Sequence, residues 1–202
     1  MNLNQHTVEE FEADVERNEP LLTSLMDSQA WRWFRFPYLS EGDTPEKQTA
    51  VRKFLARRGY KIAAVTMNFA DYQWNEPYAR CKDKGDNDAI ALLKSSYLAA
   101  ADASIGYYRE LAQTLLGRDI PYVLLMHIGA FDAEMMPQLL DLYRSRGFEF
   151  VTLPEAERDN WYRPQTDPRL PSKGSLEDAM AARDQPLPSH STPAVPFETI
   201  CR

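Results

Sequence analysis

Tyr122-Val123-Leu124-Leu125-Met126-His127, together with its upstream counterpart Lys61-Ile62-Ala63-Ala64-Val65-Thr66, decides how this chain is read. Both runs are short and apolar and lack a helical period, as strands buried in a parallel sheet do. Working outward, a long helical pattern from about Ala89 to Leu116 precedes the first run. After it, Asp132 reads as the cap of a helix whose Met136, Leu139, Leu140 and Tyr143 share one face. Gly147 ends that helix, and a further strand is expected over Phe148 to Thr152. Upstream of Lys61, Thr44-Pro45-Glu46 sets a cap before a proline at the first helical position, and Val51, Phe54 and Leu55 supply an apolar face up to Gly59. The aromatic stretch from Trp31 to Tyr38 alternates and reads as a strand ending at Pro37. Thr7-Val8-Glu9-Glu10 reads as a capping box, and Pro20 should interrupt or kink the helix it opens around Asn18. Strands alternating with amphipathic helices indicate an α/β fold of mainly parallel strands, about half a barrel.

With 202 residues, 44% of them apolar and 26% charged, the chain is long enough for one domain with a core. A formal charge of −7 argues against nucleic-acid and anionic-membrane partners, which need basic patches. No apolar run is long enough for a bilayer, and the first residues carry neither a basic nor an apolar leader region. The chain as written is therefore expected in the cytoplasm, with export open to a longer form. Cys81 and Cys201 stand outside any Cys-x-x-Cys or Cys/His cluster and read as unrelated thiols. Eight of the 14 prolines lie from Pro154 onward, so residues 159–202 read as a loosely ordered, proline-rich tail with a short helix near Leu176 to Arg183.

Active sites of parallel α/β folds form at the carboxyl ends of the strands. Those ends give Arg35 and Tyr38 around Pro37, then Asn68, Asp71 and Trp74, then His127. An arginine, a carboxylate and an imidazole brought together can orient a base and polarise a carbonyl. Each has a plainer alternative: Arg35 as an ion-paired surface group, His127 as a satisfied core residue, and Trp74 and Tyr78 as core aromatics instead of a sugar-stacking platform. Among eight glycines there is no Gly-x-Gly-x-x-Gly and no Walker pattern, which disfavours nucleotide binding.

Phe34-Arg35-Phe36-Pro37-Tyr38 resembles the Arg-x-Pro-Tyr motif of the polysaccharide deacetylases, the NodB-homology carbohydrate esterases. Val65-Thr66-Met67-Asn68-Phe69-Ala70-Asp71-Tyr72 resembles that family's Asp-x-x-Asp-Trp segment, and Leu124-Leu125-Met126-His127 its late Leu-x-His motif. The motifs follow in family order, and the similarity extends from about Leu3 to Leu153. The resemblance implies an incomplete (β/α) barrel of the NodB-homology type, occupying residues 1–158 with its first strands missing. It also implies a hydrolase of carbon-nitrogen bonds other than peptide bonds, which removes acetyl groups from N- or O-acetylated sugars. In the family a divalent metal, usually zinc, is held by one aspartate and two histidines and activates the attacking water. By resemblance His127 is the general acid that protonates the leaving amine, and Leu125 lines the acetyl pocket. Arg35 orients the base, with Asp71 able to take up its pairing, and Tyr38 supplies an oxyanion-hole amide. Pro37 and Trp74 join the substrate groove. These roles suit amide hydrolysis, where an oxyanion must be stabilised and a poor leaving group protonated.

The family's Asp-Asp and His-x-x-x-His motifs have no counterpart here. His6 has no histidine four residues away, and only His127 and His190 remain, so no metal is expected for this chain. Asn68 replaces the first aspartate of its motif and Tyr72 the tryptophan. The chain reads as starting at an internal methionine, just after the metal-binding histidines. Two bare sheet edges, an apolar groove, marginal stability and self-association through the edges are the expected consequences. Two readings follow. In one, the chain supplies acid, arginine and substrate groove to a deacetylase but is inactive alone. In the other, it is a noncatalytic fragment whose aromatics hold a glycan or a partner.

Overall fold

The computed structural model describes residues 1–26, 29–191 and 193–202. They form helices α1 (Val8–Leu25), α2 (Pro45–Arg57), α3 (Asn75–Lys84), α4 (Asn87–Leu116), α5 (Ala130–Ser145), α6 (Leu153–Ala156), α7 (Arg163–Thr166) and α8 (Leu176–Ala181), with strands β1 (Trp33–Phe34) and β2 (Lys61–Ile62). Contacts divide the chain into two compact units: unit 1 is Met1–Ala64 with Leu153–Gly174, and unit 2 is Val65–Thr152 with Ser175–Arg202.

In unit 1 the capping box at Thr7 forms as the sequence predicts. Thr7 Oγ1 accepts from the Glu10 amide at 3.2 Å, and Glu10 Oε2 accepts from the Thr7 amide at 3.0 Å. The helix does not break at Pro20 but runs on to Leu25. One turn around the proline is anchored by Glu19, whose Oε1 accepts from Arg58 Nε at 2.9 Å and faces Arg32 at 3.4 Å, so tertiary ion pairs offset the missing helix bond. Thr44 caps α2 by accepting from the Lys47 amide at 3.2 Å, and Val51, Phe54 and Leu55 enter a core with Leu3, Phe11, Phe36, Tyr60 and Ile62. β1 and β2 pair in parallel, Trp33 opposite Lys61 and Phe34 opposite Ile62. Arg52, only 3% exposed, ties the 153–174 segment to α2. It donates to the carbonyls of Pro164 at 2.7 Å, Leu170 at 3.0 Å and Asp167 at 3.1 Å and to Glu41 Oε2 at 2.8 Å.

In unit 2, α3, α4 and α5 close on a core of Trp74, Tyr78, Leu93, Tyr97, Phe131, Met135, Leu139 and Tyr143. Two extended segments lie side by side against it. The amides of Thr66 and Met67 donate to the Val123 carbonyl at 3.0 and 3.1 Å, and the Leu125 amide donates to the Met67 carbonyl at 2.9 Å. Where the sequence suggests a loose tail, Tyr162 in unit 1 and Leu176 and Met180 in unit 2 are at most 1% exposed. Phe197 sets its ring 4.8 Å from that of Trp74, and its carbonyl accepts from Arg80 at 2.5 Å. Cys81 and Cys201 are not unrelated thiols: they form a disulfide that closes a separation of 120 residues.

The expected (β/α) barrel of mainly parallel strands is not what forms: the described residues are 57% helix and 3% strand. An apolar β-prone run encodes an extended backbone but not the neighbours that must satisfy its amides and carbonyls. Among the described residues Tyr122 to Met126 joins a ladder at a single parallel bridge, between Met67 and Leu124. No strand forms over Phe148 to Thr152, where Phe150 and Val151 are 53% and 57% exposed. Asp132 does not cap α5 either. Gly129 holds that position, and Asp132 lies buried in the first turn. Among the described residues no helix is long and apolar enough to cross a membrane.

Candidate functional site

Asp71 and His127, picked out separately in the sequence, meet in unit 2. Asn68 Oδ1 accepts from the Ala70 amide at 2.8 Å and turns the chain, Ala70 takes a left-handed conformation (φ 57°), and Asp71 begins a tight turn with its side chain fully buried. His127 follows the extended segment that hydrogen-bonds to residues 66 and 67. Asp71 Oδ2 accepts from the His127 amide at 2.6 Å and Oδ1 lies 2.8 Å from His127 Nδ1. A carboxylate only accepts, so Nδ1 is the donor, and Nε2 is left for chemistry on a side chain that is 42% exposed. Tyr72, itself 53% exposed, sets its ring edge-on to the imidazole at 5.0 Å. A buried carboxylate that holds both the backbone and the ring of a partly exposed histidine fixes tautomer and direction, as an acid or base requires.

Behind this pair lies a polar cluster that the sequence gave no reason to expect. Asn75 Nδ2 donates to Asp132 Oδ2 at 2.6 Å, Tyr97 OH donates to Asp132 Oδ1 at 3.0 Å, and Asn75 Oδ1 accepts from the Phe131 amide at 3.1 Å. Burial pushes the Asp132 carboxyl up, the bonds from Asn75 and Tyr97 oppose this, and the Asp71 charge adds to it. Burial, then the Asp132 charge, also raises the Tyr97 phenol. Gly129 permits the close approach: a Cβ there would lie 1.9 Å from Asn75 Oδ1.

Arg35, Pro37 and Tyr38 belong to unit 1. Arg35 Nε donates to the Ala63 carbonyl at 3.3 Å; burial lowers its pKa, and the facing carboxylate of Glu157 opposes that. The expected partner was Asp71, but Asp71 is engaged by His127 and the charge facing Arg35 is Glu157. Glu157 accepts from the Ala64 amide at 3.0 Å and from Thr166 Oγ1 at 2.7 Å. Burial pushes its carboxyl up to about 7. Pro37 opens a tight turn in which Tyr38, the last residue of the motif the sequence singled out, and Leu39 after it take positive φ of 59° and 54°, with the Tyr38 side chain 79% exposed.

Trp74 is a core residue, 3% exposed, with Nε1 donating to Ser96 Oγ at 2.9 Å and Tyr97 and Phe197 against its ring. That placement excludes it as a sugar platform, and Tyr78 is likewise buried, bonded to Glu134. Leu125 is half-buried and donates its amide to Met67. Tyr72, noted in the sequence only as a departure from a motif, is the exposed aromatic beside the imidazole. Among the described residues no three His, Cys, Asp or Glu side chains converge to hold a metal ion, and Asp71 and His127 are committed to each other. The side chains present therefore do not fit the zinc set that the family resemblance implies. No family model, no curated protein and no solved structure matches the chain.

Proposed function

We propose that this chain carries the proton-donating part of a deacetylase-like hydrolase site for acetylated sugars, with His127 as general acid and Asp71 as the residue that positions it. The single observation behind the reading is the two-point hold of a buried Asp71 on the His127 amide and Nδ1. The order of the Arg-Phe-Pro-Tyr, Asn-Phe-Ala-Asp and Leu-Met-His stretches supports the same assignment. In amide cleavage the tetrahedral intermediate expels a nitrogen too basic to leave as an anion. For this step the ring takes up a second proton from solvent on Nε2. That proton passes to the leaving nitrogen as its bond to carbon breaks, the electron pair of that bond leaves with the amine, and the imidazole is left neutral with its proton on Nδ1. Asp71 keeps Nδ1 protonated throughout and the ring aimed outward. Groups that would activate the attacking water lie outside the pair described.

The test is 15N NMR of the His127 ring with N-acetylglucosamine oligomers added. The wild-type chain should show the tautomer protonated at Nδ1, with sugar-induced shifts centred on Nε2. In Asp71→Asn the carboxamide can donate to Nδ1, so the proton should move to Nε2. A wild-type ring already protonated at Nε2 alone, or ring signals that ignore saturating sugar, would sink the proposal.

A further inference from the structure

Residues 193–202 form a strap against α3 in unit 2, and its backbone does little to hold it there. Among the described residues its backbone bonds are internal: Phe197 donates to Val195 at 2.9 Å, Thr199 and Ile200 to Pro196 at 3.0 and 2.9 Å, and Arg202 to Thr199 at 3.2 Å. Three ties reach the body of the unit. The Phe197 ring stands edge-on to Trp74 at 4.8 Å, and Arg80 donates to the Phe197 and Ile200 carbonyls, the latter at 3.4 Å. The third tie is covalent, between Cys201 and Cys81 on α3. Around them Val195 and Ile200 are only partly buried.

An edge-on aromatic pair or a partly exposed hydrogen bond shifts an equilibrium by roughly tenfold. Each ordered residue opposes that through lost backbone freedom, and among the described residues no ladder to the body offsets the loss. The disulfide keeps the strap at its site whether or not the weaker ties are made. The core beneath does not rest on it. Leu93, Tyr97, Phe131, Met135 and Leu139 close α4 and α5 on each other, and Arg80 keeps Glu76 at 2.8 Å. Access to the bond is one-sided. Cys81 is fully buried, whereas Cys201 is half-buried and its Sγ lies 3.7 Å from Asp86 Oδ2 at an exposed position. A thiolate therefore enters at Cys201, and the Asp86 charge slows its approach without closing the way.

We propose that this disulfide is a redox latch: a dithiol reductant opens it, residues 193–202 leave α3, and Trp74 and Arg80 are uncovered while α3, α4 and α5 stay folded. One thiolate of the dithiol attacks Cys201 Sγ, and the electron pair of the sulfur–sulfur bond leaves with Cys81 Sγ. The second thiolate attacks the sulfur of the first, releasing Cys201 and closing the dithiol into a cyclic disulfide. The two protons that the dithiol gives up end on the two cysteine thiols. The latch stands apart from the reading of Asp71 and His127. It is tested by hydrogen exchange of the full chain, read by mass spectrometry before and after dithiothreitol treatment of the folded protein. Reduction should speed exchange in residues 195–202 by about tenfold or more and leave the α4 and α5 rates within about twofold. Cys201→Ser should show the fast strap without reductant and no further response to it. Strap amides that stay protected after complete reduction would overturn the latch. So would acceleration that spreads equally over α4 and α5, the mark of a structural staple, or a bond that resists millimolar dithiothreitol in the folded chain.

Discussion

Glu157→Gln should stabilise unit 1 above neutral pH and change little in acid. Glu157 is 9% exposed and accepts two hydrogen bonds, from the Ala64 amide and the Thr166 hydroxyl, and an amide side chain can hold both sites. Burial raises its folded pKa from 4.5 to about 7, against the opposing hydrogen bonds and the Arg35 and Lys61 charges. A raised carboxyl pKa means that the folded state binds more protons than the unfolded state between those values. The stabilising contribution is then complete below about pH 4.5 and lost as pH rises through 7. At about 1.4 kcal/mol per pH unit the full difference is roughly 3 kcal/mol, and partial solvent access reduces the expected figure to about 2 kcal/mol. Urea unfolding read by tryptophan fluorescence reports mainly on this unit, because Trp31, Trp33 and Trp161 belong to it and only Trp74 to the other. Wild type and variant should agree within about 1 kcal/mol near pH 5, and at pH 8 the variant should unfold on the order of 1 M urea later. A variant that follows the wild-type pH dependence, or is the weaker of the two at pH 8, would refute the burial argument.

Gly129→Ala places a Cβ 1.9 Å from Asn75 Oδ1 and should cost about 1–3 kcal/mol in thermal unfolding. Most of that loss should return in an Asn75→Ala background, and its failure to do so would show that the clash is not the cause. Arg52→Ala strands five acceptors around a buried site and should destabilise unit 1 by about 3 kcal/mol or more in urea. Arg52→Lys should recover little, since an ammonium cannot reproduce the guanidinium fork; full recovery would show that charge alone matters there. The native chain should be lighter by two hydrogens than its reduced form, and reduction should lower the stability of unit 2 by up to about 5 kcal/mol, the entropy of a loop with a separation of 120 residues. Native thiols at Cys81 and Cys201 that react with an alkylating reagent would contradict the bridge.

What the sequence decides by itself is local. Thr7 with Glu10 and Thr44 with Pro45 set helix starts because the groups that satisfy the free amides lie within three residues of them. The long apolar periodicity before Gly117 is enough for α4, and the short segment after Ser175 for α8. The sequence also marks Asp71 and His127 as residues with chemistry to offer, but not as partners, because 56 positions separate them and nothing in either neighbourhood names the other. Glu157 stands 93 positions from the Ala64 amide it serves, and Cys201 stands 120 from Cys81; such pairings leave no periodicity to read. The misjudged barrel has the same origin. Lys61 to Thr66 and Tyr122 to Met126 do run extended, yet a strand becomes a sheet only when other backbones take up its hydrogen bonds. Tertiary packing supplied two residue pairs between β1 and β2 and one bridge between Met67 and Leu124, and spent the remaining apolar surface on helices. Side-chain burial and long-range charge pairing are properties of the folded chain, and only there do Trp74 become core and His127 an imidazole held by a buried carboxylate.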